Sequence, residues 1–298
     1  MPIAIIVHGG ASSIPRGEEE AYQAGCLRAL EAGWAVLERG GAALDAVEAA
    51  VRVLEDDPTF NAGHGGALNA AGEVELCAGV MEGTGLCYGA ITVAQGLRHP
   101  ISVARTLLEQ QGVRLLAGRG AELFAAEVGA ERCDPSELIT DKQRQEWQAK
   151  QEKQVEVGGS HDTVGCVALD AQGRMVAGTS TGGLVGAPVG RVGDSPLAGC
   201  GFYAEDGLGG CSGTGDGEQL SQVVLAKTVV ELLGAGLSAE EAAQTAIDRL
   251  GERVGGEGGC IVVDRAGQIG WAHNSSHMAC AFRTVEMVAP AVFSKKQG

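Results

Sequence analysis

Apolar residues in this chain recur with two periods, and the switches between them mark out its strands and helices. Ile3 to Val7 is a continuous apolar run entering "HGGAS", which predicts a buried first strand. A long amphipathic helix follows and stops near "ERGG", where Gly40 and Gly41 supply a C-terminal signal. A second helix is expected from Ala42 to Leu54. The glycine-punctuated loop "DDPTFNAGHGGALNAAGEVELCAGVMEG" then leads into strands near Glu73 to Val80 and Tyr88 to Val93. "HPISVARTLLEQ" and "RGAELFAAEVG" read as helices, the first with Pro100 in its opening turn.

The second half repeats the pattern. In "GGSHDTVGCVALD", Gly158 to Asp170, a polar approach gives way abruptly to a strand. Alternation puts Val164, Cys166, Ala168 and Asp170 on one face and Thr163, Gly165, Val167 and Leu169 on the other. "RMVAGTSTGG" is a further strand, followed by helices from Glu218 to Leu233 and Ala239 to Leu250 and closing strands at Cys260 to Val263 and Gln268 to Ala272. Strands precede helices in each half without regular βαβ alternation, so the expected fold is α/β of the layered α+β kind, not a doubly wound parallel sheet. Between the halves, from about Pro135 to Ser160, "DKQRQEWQAKQEKQVEVGGS" is rich in Gln, Lys and Glu. It predicts a surface helix running into a flexible linker.

Composition narrows the function. With 298 residues and 45% hydrophobic content the chain can bury a sizeable core. A formal charge of -16, no basic cluster and 4% aromatics argue against nucleic acid as a partner. No window approaches the roughly 20 apolar residues of a membrane span, and "MPIAIIVHGG" lacks the basic start of a signal peptide. Nine scattered cysteines without a C-x-x-C pair read as reduced thiols of a cytoplasmic protein. The 48 glycines, more than twice the usual share of about 7%, cluster beside apolar strands and suggest backbone brought close to a ligand.

Candidate chemistry sits in several short stretches. "GGCSGTGDGEQLSQVVLAK", Gly209 to Lys227, reads as a loop feeding a helix N-terminus, either a plain helix entry or an anion or oxyanion site. It lacks the lysine and hydroxyl of a P-loop. "HNSSH", His273 to His277, would offer two imidazoles to a metal only if helical, and the preceding residues read as strand. His8 and His64 sit in glycine loops and read as loop hydrogen-bonders. In "GRVGDSP", Arg191 and Asp194 are either an exposed ion pair in a turn or a zwitterion clamp, Arg taking a carboxylate and Asp an ammonium. Spacing alone does not choose between them. Thr181 and Thr214 are small hydroxyls bordered by glycine. With no G-x-S-x-G elbow in the chain, threonine is the available nucleophile.

Seven blocks in this order resemble the plant-type L-asparaginases with isoaspartyl peptidase activity, which are N-terminal nucleophile hydrolases. They are "IVHGGA", "FNAGHGGALNAAGEVELCAGVMEG", "HPISVAR", "DTVGCVALD", "TSTGG", "GRVGDSPLAGCG" and "GTGDGE". The resemblance implies an αββα four-layer sandwich: one domain over residues 1–298 that cuts itself between Asp162 and Thr163 into an α subunit 1–162 and a β subunit 163–298. It implies hydrolysis of L-asparagine and of N-terminal β-aspartyl peptides.

Residue by residue, the resemblance makes Thr163 the nucleophile and Thr181 a hydroxyl beside its amino group. Asn61 supports nucleophile and substrate, and Thr214 with the N–H of Gly215 forms the oxyanion hole. Arg191 matches the carboxylate binder; Asp194 and the carbonyl of Gly217 match the ammonium binder. The carbonyls of Leu54, Glu55, Asp57, Phe60, Ala62 and His64 match a loop holding a structural sodium ion, with no cofactor needed for the chemistry. The implied partners are small-molecule and dipeptide substrates, and the implied assembly is a dimer of cleaved αβ units.

One position departs from the pattern. His161 and Asp162 precede the threonine where the asparaginases commonly have Gly, as in the related glycosylasparaginases. A glycosylasparaginase acting on sugar-linked asparagine is therefore the alternative enzyme. A non-catalytic small-ligand binder on the same fold would need a missing nucleophile or clamp, and neither is missing.

Overall fold

The protein is described by a computed structural model covering residues 2–110, 112–153 and 163–295. The first half holds β1 (Ala4–Ser12), α1 (Glu19–Glu38), α2 (Ala43–Asp56), β2 (Leu76–Glu82), β3 (Cys87–Ala94), α3 (Pro100–Glu109), β4 (Leu115–Ala117), α4 (Arg119–Glu127) and α5 (Asp141–Lys153). The second holds β5 (Val164–Leu169), β6 (Met175–Thr181), β7 (Phe202–Glu205), β8 (Gly209–Gly215), α6 (Gly217–Val223), α7 (Leu225–Gly234), α8 (Ala239–Val254), β9 (Gly258–Asp264), β10 (Ile269–His273), β11 (His277–Thr284) and β12 (Ala291–Phe293). Eight strands form one sheet in the order β12, β11, β1, β5, β6, β2, β3, β4, and four form a second in the order β10, β9, β8, β7.

Alternation along the strands creates the layers. Ile5 and Val7 of β1, with Val164, Cys166 and Ala168 of β5, pack with Leu30, Val47, Leu54 and Ile101 of α1 to α3. Ile6 of β1 and Val167 and Leu169 of β5 turn the other way and pack with Phe202 and Ile261 of the second sheet. That sheet's far face, through Cys211, Cys260 and Val262, is covered by Leu220, Leu225, Val229 and Ile247 of α6 to α8. Three apolar seams therefore join four layers, helices, sheet, sheet and helices, which is the expected αββα sandwich. The division of faces read from β5 also holds residue for residue. Among the described residues no helix is long and apolar enough to cross a membrane.

Two expectations need correction. The helix foreseen over Glu218 to Leu233 is two helices, broken where Val224 takes a left-handed conformation at φ 49°. The break lets the N–H groups of Ala226 and Lys227 donate to the carbonyls of Cys200 and Gly199, satisfying donors at the start of α7. The glycine stretch from Gly209 is not a loop but the strand β8, paired on both sides. Its glycines let layers approach: a Cβ on Gly210 would stand 2.8 Å from Val167, and one on Gly213 3.2 Å from Leu225.

The polar segment before the expected cut forms α5, and it is anchored more firmly than its composition suggests. Trp147 Nε1 donates to the Asn69 carbonyl at 2.8 Å, and Lys150 Nζ to the Val185 carbonyl at 2.6 Å. The rest of the expected linker, with His161 and Asp162, lies outside the described residues.

Gly79 of β2 tests how tightly the sheets are joined, because a Cβ there would stand 2.5 Å from Phe202 Cζ. Gly79→Ala should destabilise the protein by about 1–3 kcal/mol, the usual cost of overpacking a filled core. The loss should show in denaturant midpoints and be partly recovered by adding Phe202→Leu. An unchanged midpoint would contradict this packing.

Candidate active site

The β5 alternation carries Thr163, one residue before the strand, onto the face between the sheets. Val164 pairs with Ser180, so Thr163 stands opposite Thr181, the last residue of β6. On its other side β5 pairs with β1, His8 opposite Gly165. Thr163 is 6% exposed, and its Oγ1 shares a 2.9 Å hydrogen bond with Ser195 Oγ. Ser195 is itself pinned, since Thr179 Oγ1 donates to its carbonyl at 2.6 Å. Thr181 Oγ1 accepts from the Gly183 N–H at 3.1 Å, which ends β6 in a tight turn beside Thr163.

Below this pair lies a buried contact that the sequence did not disclose. His8 belongs to β1 and is fully buried, not a loop residue, and its Nε2 is 2.7 Å from Ser212 Oγ of β8. Burial pushes the imidazole down to about 3, with the Thr163 main chain pulling the other way, so the ring is neutral near pH 7. The contact crosses β5 at Gly165, where a Cβ would stand 2.6 Å from the His8 ring nitrogen and collide with Ser212 Oγ. Glycine at that position is a condition of the close approach.

In front of Thr163 is a slot of about 20 Å³ bordered by Thr181, Arg191, Asp194, Ser195 and Gly215. Arg191 and Asp194 do not form the exposed ion pair that their spacing allowed. Arg191 instead donates through Nε and Nη2 to both carboxylate oxygens of Glu218, at 2.9 and 2.7 Å. Asp194 is 2% exposed, and its Oδ2 has no hydrogen-bond partner. Burial pushes its carboxyl up to about 7, against main-chain hydrogen bonds and Arg191, which lower it. An acceptor in that condition is suited to an incoming ammonium. Gly217 opens α6 against both groups: a Cβ there would stand 2.8 Å from Arg191 Nη2 and 3.0 Å from Asp194 Oδ1. Its carbonyl accepts from Ser221 Oγ at 2.8 Å.

Of the remaining candidates Gly215 borders the slot, and Thr214 and Asn61 lie outside its lining. Thr214 is fully buried and its Oγ1 accepts from the Ala11 N–H at 3.3 Å, while Gly215 takes φ +140° against the Glu257 main chain. Asn61 stands behind the turn after β6. Its Nδ2 donates to the Gly183 carbonyl at 2.7 Å, and its own carbonyl accepts from Gly182 N–H at 2.9 Å.

The loop leading to Asn61 folds back on itself, His64 N–H donating to the Glu55 carbonyl at 2.8 Å and Phe60 N–H to Asp57 at 3.1 Å. The Phe60 and Pro58 carbonyls converge on Gly65, where a Cβ would meet them at 2.7 and 3.1 Å. The Glu55 side chain points elsewhere: its Oε1 accepts from Ile101 N–H and Ser180 Oγ, and burial pushes the carboxyl up to about 8.

"HNSSH" is the turn between β10 and β11, with His273 Nδ1 2.9 Å from the Ser275 carbonyl, and no metal cluster of His, Cys, Asp or Glu occurs among the described residues. Sequence reasoning thus missed Ser195, Glu218 and the His8–Ser212 contact. The first two are visible in hindsight inside "GDSP" and "GDGE" as polar residues adjoining clamp positions.

Comparison with known proteins gives the chain its relatives. A family model described as Asparaginase matches residues 1–292. The isoaspartyl peptidase/L-asparaginase of Rattus norvegicus is 40% identical over 270 residues, covering 89% of this chain and 81% of its own. That of Homo sapiens is 40% identical over 286 residues, covering 94% and 93%. The Xenopus laevis protein of the same name is 40% identical over 274 residues, covering 90% and 87%.

The buried Asp194 carboxylate makes a stability prediction with a definite sign. Its folded pKa, pushed up by burial to about 7, lies above the usual 3.8 of an aspartate in water, so the unfolded chain loses this proton first. This group's stabilising contribution is complete below pH 3.8 and lost as pH rises to 7. Asp194→Asn, which cannot ionise, should therefore gain stability relative to the parent between pH 5 and 8. Urea denaturation of both proteins across that range checks this; a difference independent of pH would contradict it.

Proposed function

The chain belongs to the asparaginase family, and on that premise we propose that Thr163 is the nucleophile of an amidohydrolase that frees itself by cutting between Asp162 and Thr163. The enzyme hydrolyses L-asparagine to aspartate and ammonia and cleaves β-aspartyl peptides. One observation carries the assignment of roles: the buried Thr163 hydroxyl shares a slot with Arg191 and with an Asp194 oxygen that has no partner.

The reading follows from elementary chemistry. An interior threonine has no base of its own, whereas a freed α-amino group, with a reference pKa of about 7.7–8.0, is substantially neutral near pH 7.5. It takes the Oγ1 proton as the oxygen attacks the side-chain carbonyl carbon of the substrate. Thr214 and the Gly215 N–H face the oxygen that becomes negative, a contribution of about 10² to 10³ in rate per donor in other enzymes. The C–N bond then breaks, the amino group returns its proton to the departing amine, and water hydrolyses the ester on Thr163. The neutral His8 stays outside the proton traffic and holds β1 against β8.

Arg191 holds the substrate α-carboxylate and Asp194, with the Gly217 carbonyl, the α-ammonium. This leaves the side-chain amide facing Thr163. Glu218 already occupies Arg191 and has to share it or give way. A sodium ion held by the carbonyls of Leu54, Glu55, Asp57, Phe60, Ala62 and His64 would brace the loop carrying Asn61 and take no part in the chemistry. The nine cysteines are free thiols, which supports a cytoplasmic setting.

Three outcomes are expected. Intact mass of aged protein should show fragments 1–162 and 163–298, and Thr163→Ala should show one full-length chain without hydrolysis. Full-length protein with full activity would contradict self-activation. Asparagine and β-Asp-Leu should be turned over while α-Asp-Leu, whose α-carboxylate is consumed in the peptide bond, and glutamine, one methylene too long, fail. Arg191→Ala should lower kcat/KM by an amount equivalent to about 2–5 kcal/mol, as for a lost partner of a charged hydrogen bond. Equal turnover of α- and β-linked dipeptides would sink the clamp.

A further inference from the structure

Beyond the N-terminal end of β5 its two neighbours part. β1 runs out through Ser13 and Pro15, β6 through Gly182 to Val185, and α5 bridges the gap between them. At one end of α5, Lys142 Nζ reaches Glu18 at 3.0 Å, and further along Lys150 holds the Val185 carbonyl. The space so enclosed is a cavity of about 160 Å³ bordered by Ser13, Tyr22, Asn61, Lys142, Gln143 and Val185. It is far larger than the roughly 30 Å³ of one water in the liquid. The turn from Gly182 to Val185 is their common edge: Val185 borders the cavity, and Gly183 and Leu184 border the slot before Thr163.

Gln143 marks the cavity as more than a packing defect. It is 7% exposed, and its Oε1 is buried without a hydrogen-bond partner. Because the two ends of an amide are interchanged by a half-turn, the same group can present its NH₂ to an anion. Lys142 lies beside it in the chain, its ammonium 5.8 Å from the centroid of the Tyr22 ring. Glu146 also borders the cavity, its carboxyl pushed up by burial, and an arriving carboxylate has to share Lys142 with Glu18.

We propose that this cavity receives the residue on the leaving side of a β-aspartyl peptide, with the carboxylate of that residue read by Lys142 and Gln143. The proposal rests on the roles given above to Thr163 and the clamp. With the aspartyl end held by Arg191 and Asp194, the leaving amine emerges away from them, past Asn61, into the cavity. Tyr22, Pro15 and Val185 supply apolar cover for its side chain. Asparagine, whose leaving group is ammonia, has nothing to place there.

That difference provides the test, run on cleaved enzyme with asparagine, β-Asp-Leu and β-Asp-leucinamide. Lys142→Met and Gln143→Ala should each lower kcat/KM for β-Asp-Leu roughly tenfold, the effect of losing a hydrogen bond to a charged group, with asparagine turnover unchanged. Lys142→Met should also abolish the preference for the free acid over the leucinamide, and Lys142→Arg should restore it. An unaltered ratio of β-Asp-Leu to asparagine activity would overturn the subsite while leaving the amidohydrolase reading intact. Equal losses on both substrates would overturn it too, showing the positions to be merely structural. Parent enzyme inactive on all three substrates would contradict the amidohydrolase reading and the subsite with it.

Discussion

The position of β5 between β1 and β6 is the constraint on which the rest of the structure depends. The strand is buried on both faces, so a slip of one residue would exchange its two apolar sets and turn Thr163 toward the helices. Register is held on both sides, by His8 opposite Gly165 and by Val164 opposite Ser180. Gly165 tightens it further, because only a residue without a Cβ admits the His8–Ser212 contact at that level. A hydroxyl at the end of such a strand is aimed by the core itself and not by a loop, which is how rigid elements give a site its precision.

Electrostatics are arranged around that fixed hydroxyl by burial. His8 is kept neutral beneath it, and Asp194 is kept dry and incompletely bonded in front of it. The first makes a silent support, the second a destabilised acceptor suited to a cation. Arg191 is the opposite case, already satisfied by Glu218, itself half-exposed. Of the two residues proposed as a clamp, one therefore holds an unpartnered oxygen and the other a charge that is already paired.

Much of this was legible in the sequence. The abrupt junction at Thr163 and the two faces of β5 follow from period-two alternation, and the absence of βαβ order pointed to stacked sheets. Arg191 and Asp194 stood out as charges among glycines, but spacing could not say whether they faced each other. Their separation depends on Glu218, which arrives from a different layer. β8 was hidden because glycine is a poor strand former, and its strand state is imposed by neighbours on both sides. His8 was hidden because its partner Ser212 is 204 positions away. The break at Val224 has no local signal, since it serves carbonyls of a distant loop.

The most direct measurement is to quench the cleaved enzyme with acid during turnover of asparagine and sequence the peptide that begins at Thr163 by mass spectrometry. The account predicts a free N-terminus and one aspartyl group esterified to the Thr163 hydroxyl. An aspartyl group on another residue, or on the amino group of Thr163 with its hydroxyl free, would contradict it.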